Sequence, residues 1–207
     1  MDSATALYLA GKKFCPTALI FDYGQRHKRE IESAEKIAKK AHCQYKIVRV
    51  DLPRKGSALL DRKVAVPVRR SIKEIKLGIP PTYVPARNLI FLSVATSFAE
   101  SIRARAIFIG AHSQDNPAYP DCSKTFFNIF KDVIATGTKY GKHIRIHVPL
   151  LHKKKSEIVK IGFRLKVPFE LTWSCYRGGR KPCGICDSCI FRKRAFEELG
   201  IEDPYHA

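Results

Sequence analysis

The chain has 207 residues, 45% of them hydrophobic and 28% charged, which suffices for one sizeable domain, or for a domain with a small appendage. Lys and Arg number 38 against 19 Asp and Glu, and the resulting formal charge of +19 predicts attraction to polyanions, a class that takes in nucleotides, nucleic acids and acidic membrane surfaces. No apolar run approaches the roughly 20 residues that cross a bilayer, and Met1-Asp2 opens no secretory leader, so no membrane partner is expected and a cytoplasmic location is.

Helical periods alternate with short β-branched runs along the chain. Residues 2–10 read as a short helix and residues 17–21 as a buried strand. Residues 25–41 place Ile31, Ala34, Ala38 and Ala41 on one face with Lys and Glu opposite, the pattern of an amphipathic helix. A strand follows at 45–50. Residues 51–86 hold five prolines and no clean period, and are read as loops and short helices. An apolar helix is expected at 88–102, a strand at 106–110, a helix at 126–136, a strand at 144–148 and a helix starting at 156. Four strands alternating with helices imply an α/β fold with a mostly parallel sheet covered on both faces. The first helix has no strand to deliver it, as though an element were missing.

Seven cysteines do not suit a disulfide framework, and four of them crowd into 15 residues: Cys183-Gly-Ile-Cys186-Asp-Ser-Cys189, with Cys175 eight positions upstream. Four soft thiolates at turn-forming spacings suit one tetrahedral zinc ion, and a closed four-ligand shell is structural because it leaves no open position. An iron–sulfur cluster is the competing reading, since repeated C-x-x-C steps also serve such clusters. Of Cys15, Cys43 and Cys122, two are expected to be plain packing residues.

Five blocks then carry a resemblance. They are Phe21-Asp-Tyr-Gly-Gln-Arg-His27, Val84-Pro-Ala-Arg-Asn88, Tyr119-Pro-Asp-Cys122, Trp173-Ser-Cys-Tyr176 and the cysteine cluster itself. Together and in this order they resemble the 7-cyano-7-deazaguanine (preQ0) synthase family of queuosine biosynthesis, also called QueC. The resemblance implies the PP-loop ATPase group of the adenine nucleotide alpha hydrolase-like (HUP) fold, with a parallel five-stranded sheet. Residues 1–170 would form the ATP-binding α/β domain and 171–207 a small zinc-binding and helical region. The family's first strand ends in Ser-Gly-Gly-x-Asp-Ser, a phosphate-cradling turn at a helix N-terminus. Met1-Asp2-Ser3 matches only the end of that motif, so the first strand and its glycines are expected to be missing. The seven residues between Cys175 and Cys183 are about one fewer than the family pattern.

By resemblance, Asp2 and Ser3 are what remains of the ATP loop, although both residue types also cap helices. Asp22, Tyr23 and Gly24 would lie near the adenosine, at the carboxyl end of a parallel strand. Arg87 and Lys155 would neutralise phosphate charge; a surface ion pair for Arg87 and a solvated charge run for Lys155 are the alternatives. His112, Asp115, Tyr119 and Asp121 are the candidates for the deazaguanine site. His27 reads equally well as part of a solvated first turn.

The implied activity is that of a carbon–nitrogen ligase: ATP with Mg²⁺ activates 7-carboxy-7-deazaguanine, ammonia gives an amide, and a second activation removes water to leave the nitrile. The implied partners are these small molecules and further copies of the chain in a homo-oligomer; nucleic acid is not required. Two rivals stay open, a PP-loop tRNA-modifying enzyme of thiolase type, which the +19 charge suits, and a non-catalytic zinc-containing RNA-binding relative.

Overall fold

The computed structural model of the protein describes residues 1–112 and 119–205. It opens with helix α1 (Asp2–Gly11), followed by strand β1 (Thr17–Asp22), helix α2 (Arg29–Lys40) and strand β2 (Gln44–Arg49). The segment 51–86 contains only the single-turn helix α3 (Ile72–Ile75), fixed by a capping box in which the Ser71 hydroxyl accepts from the Glu74 amide and the Glu74 carboxylate accepts from that of Ser71. Helix α4 (Arg87–Ser101), strand β3 (Ala106–Phe108), helix α5 (Lys124–Gly137), strand β4 (Arg145–His147), helix α6 (Lys155–Arg164) and helix α7 (Asp187–Glu197) complete the order.

All four expected strands form, and both pairings are parallel. β1 lies beside β2 with Thr17 opposite Gln44, and β3 lies beside β4 with Ala106 opposite Arg145. Among the described residues these are two separate two-stranded sheets; the five-stranded sheet is not seen as such. The helix expected from residue 25 starts only at Arg29. The cause is Gln25, which is 2% exposed and folds its side chain onto its own loop: Oε1 accepts from the Tyr23 amide at 2.8 Å and Nε2 donates to the Phe21 carbonyl at 3.0 Å. With Gly24 at φ +78°, that loop turns sharply away from β1 before any helix can begin.

Two cores hold the layers. One gathers Leu92 and Ala99 of α4, Phe127, Phe130 and Ile134 of α5, and Ile107 and Ile146 of β3 and β4. The other joins Ala4 of α1, Ile37 of α2, Val159 of α6 and Ala195 and Phe196 of α7 around Phe169. Phe169 meets Phe196 edge-on at 5.7 Å, and burying one such ring contributes roughly 1.5–3 kcal/mol. Residues on both sides of position 170 therefore share this core. They are tied further by the buried Arg192, whose guanidinium makes a bidentate pair with Asp203 at 2.6 and 2.7 Å and donates to the Thr172 and Phe169 carbonyls at 2.9 and 3.0 Å.

Candidate functional site

The loops leaving the carboxyl ends of β1 and β3 bring distant segments together. Gly110, just past β3, packs so closely on the first turn of α1 that a Cβ there would come within 2.7 Å of the Ser3 backbone. This contact brings Asp2 to His112 and to Lys155 at the start of α6. Lys155 Nζ donates to Asp2 Oδ2 at 2.6 Å and lies 2.9 Å from His112 Nε2, which is itself 3.5 Å from the same carboxylate oxygen. Burial alone would push the Asp2 carboxyl up, but Lys155 and His112 hold it well below the usual range. Asp2 is thus committed to a charged cluster and not to capping, and the N-cap position falls on Met1. Ser3 is exposed in the same first turn.

Arg87 opens α4 behind Ala86, which adopts a left-handed φ of 55° and swings the chain into the helix. Its guanidinium lies 6.0 Å from the Tyr23 ring. Burial works against the charge, but Tyr23, Tyr176 and Glu30 around it push the Arg87 pKa still higher, so it stays cationic. The buried Tyr23 phenol is driven up to about 12, first by burial, and stays neutral. Asp22 Oδ1 accepts from the Gly24 amide at 3.3 Å and closes the β1 loop.

Tyr119 points its hydroxyl at Thr82 Oγ1, 3.2 Å away, and sets its ring 5.5 Å from that of Tyr83. Asp121 anchors the start of α4, its Oδ2 accepting from the Asn88 amide at 2.9 Å and its carbonyl from the Asn88 side chain at 3.1 Å. Cys122 also accepts from Asn88 Nδ2, at 3.1 Å, and burial followed by Asp121 raises its thiol to about 11. It is a packing residue that stays protonated, as is the buried Cys43; Cys15 is exposed. Asp115 lies outside the described residues.

His27, read as an even choice between solvated turn and site, is 4% exposed, and its Nε2 lies 2.8 Å from Glu30 Oε2. Glu30 escaped the sequence reading. The signal was present as a His and a Glu three apart at the mouth of α2, but in a helix so rich in Lys and Glu it looks like one more solvated pair.

The four cysteines converge. Their sulfur atoms all lie within 4.8 Å of one another, and three of the four residues are buried. Gly184, at φ +71°, closes the first turn, in which the Cys186 amide donates to Cys183 Sγ at 3.3 Å; the Cys183 amide donates to Cys175 Sγ at 3.4 Å. A single ion with four thiolates about 2.3 Å away has sulfurs this close, whereas a multi-iron cluster spreads its cysteines around several metal atoms. The site can hold one metal ion, and the donor set suits zinc. Residues 66–70 clamp it from outside: Val68 bridges to Cys186, the Arg69 amide donates to the Ile185 carbonyl at 2.8 Å, and Arg70 makes a bidentate pair with Asp187.

A parallel α/β fold that brings Asp2, His112 and Lys155 together past β3, sets the cationic Arg87 beside Tyr23 of the β1 loop and gathers four cysteines is the frame of an α/β enzyme. Residues 1–200 match the family model of the queuosine biosynthesis protein QueC, and the chain belongs to that family. It is 47% identical over 207 residues to a protein of Thermoplasma volcanium named 7-cyano-7-deazaguanine synthase, covering 99% of this chain and 86% of the relative. Proteins of the same name from Nostoc punctiforme and Clostridium kluyveri are 46% and 45% identical, each across 99% of this chain and over 94% and 92% of their own lengths.

Proposed function

We propose that this chain is a 7-cyano-7-deazaguanine synthase, a carbon–nitrogen ligase that joins 7-carboxy-7-deazaguanine and ammonia at the expense of ATP and forms the nitrile preQ0 in queuosine biosynthesis. The observation that carries the reading is the meeting of Asp2, His112 and Lys155, three resemblance-derived site residues from separate segments, within 3.5 Å. A carboxylate oxygen is a poor leaving group, and ATP supplies its activation. The chain's part is to place charge where phosphate charge develops. Lys155 and Arg87 neutralise phosphate oxygens, Asp2 fixes the Lys155 ammonium, and Ser3 offers a hydroxyl to the same phosphates. Asp22, Tyr23 and Gly24 form the adenosine side. His112, Tyr119 and Asp121 line the side for the deazaguanine, where Tyr119 offers a ring face and His112 a hydrogen-bonding edge, and the resemblance adds Asp115 to them. Mg²⁺ accompanies the ATP.

The same reading assigns one structural zinc to Cys175, Cys183, Cys186 and Cys189, with residues 171–207 as the region it staples and 1–170 as the ATP-binding domain. It treats the two parallel strand pairs as parts of one five-stranded PP-loop sheet, since both deliver site residues from their carboxyl ends. It also includes a cytoplasmic location and a homo-oligomer. Ile129 and Val133 support the latter, lying one turn apart on α5 and each more than half exposed. No helix among the described residues is long and apolar enough to cross a membrane.

The test is an omission assay followed by chromatography and mass spectrometry. The nitrile is expected only when ATP, Mg²⁺, ammonium and the carboxylate are all present, and without tRNA. The charge of +19 favours the tRNA-modifying alternative, which predicts ATP turnover that requires tRNA and no nitrile.

A further inference from the structure

The reading above gives ammonia no binding group. At neutral pH ammonia is mostly the ammonium cation, and the crevice that Arg87 and Lys155 prepare for phosphates repels cations. An ammonium subsite needs a carboxylate with an oxygen to spare. Among the neighbouring carboxylates, Asp187 gives both oxygens to Arg70, Asp121 is 7% exposed, Asp2 has Oδ2 on Lys155 and His112 and its Oδ1 buried, and Asp22 is turned back onto the Gly24 amide. Glu30 differs. Its side chain is 49% exposed, it sits on the first turn of α2 next to the β1 loop, and the Arg87 guanidinium lies within its electrostatic reach.

Glu30 is also held in place. His27 Nε2 lies 2.8 Å from its Oε2, and the Glu30 amide donates to the His27 carbonyl at 3.0 Å. His27 Nδ1 is buried with no hydrogen-bond partner among the described residues. A buried, unpartnered N–H costs more than a buried lone pair beside an N–H that is satisfied, so the ring proton belongs on Nε2, donated to Glu30. The ring is backed by Tyr176 at 5.8 Å and by Gly178, where a Cβ would meet the Arg26 carbonyl at 2.7 Å and His27 Cα at 3.2 Å. His27 thus fixes one carboxylate oxygen of Glu30 and leaves Oε1 to accept from a bound cation. Burial would raise the Glu30 pKa, but His27 and then Arg87 lower it, so the group is a carboxylate whenever ammonium is available.

We propose that Glu30, oriented by its 2.8 Å contact with the buried His27, is the ammonium-binding residue of the crevice. This inference rests on the synthase reading. It makes Glu30 a residue that touches substrate and His27 a positioning residue that acts through it.

The experiment is steady-state nitrile formation with each of the three substrates varied in turn. One charge-assisted hydrogen bond is at stake, so E30Q is expected to raise the ammonium KM by about tenfold to a hundredfold, with the KM values for ATP and the carboxylate within about twofold of wild type. H27A is expected to raise the ammonium KM by a smaller factor, in the same selective way. Should E30Q fail to give a cooperative thermal transition, E30D, which keeps the charge at a shorter reach, carries the test with an effect of the same sign. An ammonium KM within about twofold of wild type in the glutamate variants, or a rise shared equally by all three substrates, overturns the inference and leaves the synthase reading standing. A wild-type chain that forms no nitrile at any ammonium concentration overturns both.

Discussion

At the scale of single residues, the account turns on Asp2 and Lys155. Because the folded-state pKa of Asp2 is depressed, its pairing contributes stability above the ordinary aspartate value of about 3.9, and that contribution is lost as pH falls through the folded value. Urea unfolding across pH is therefore expected to show wild type more stable than D2N near neutrality, with the gap narrowing below about pH 4. A gap that widens in acid contradicts the pairing. K155M removes the cation and leaves Asp2 with the longer His112 contact. Its kcat/KM is expected to fall by about a hundredfold or more, the usual consequence of losing a preorganised charge, and a change below about threefold would return Lys155 to the solvated run that its neighbours Lys153 and Lys154 suggest. The motifs made Lys155 readable. Sequence could not show that its partner would be a residue 153 positions away, because the meeting depends on how tightly the loop after β3 packs on α1.

At the scale of elements, contacts between them decide the site. Gly110 presses on the first turn of α1, so G110A is expected to push that turn away, lower the thermal midpoint and raise the ATP KM, measured by thermal unfolding and steady-state kinetics. The cysteine turns are held to the 66–70 segment by Arg70 and Asp187, and the Trp173 indole N–H fixes the Cys175 carbonyl locally at 2.8 Å. One zinc per chain is expected by elemental analysis. C186S, which removes a buried ligand, is expected to lose the metal and several kcal/mol of stability, since structural sites contribute binding energy directly to folding. A C186S protein with wild-type metal content and midpoint would contradict the staple. The cysteine spacing was legible because a metal site is local and its ligands lie within 15 residues. The clamp by residues 66–70 was not, because a proline-rich stretch without periodicity gives no sign of where it will pack. Gln25 likewise delayed α2 by a side-chain bond to its own loop that periodicity does not register.

At the scale of the molecule, the alternation of strands and helices foretold the α/β class, all four strands and the parallel pairing. The pattern did not show that the C-terminal helix α7 would enter the core formed by α1, α2 and α6. Amphipathic spacing says that a face is apolar and not which other face will cover it. The charge of +19 indicated polyanions without choosing between a nucleotide and RNA. The gathered residues favour the smaller anion: the cations at the strand ends are few, partly buried and individually partnered, as in Lys155 with Asp2 and Arg87 beside Tyr23.

The measurement that bears most directly on the central claim is a turnover with heavy-nitrogen ammonium, 7-carboxy-7-deazaguanine, ATP and Mg²⁺, with the products read by mass spectrometry. The account predicts a nitrile that carries the heavy nitrogen, formed only with ATP and sharply reduced in K155M. ATP consumption without labelled nitrile, or labelled nitrile formed equally well by K155M, would contradict it.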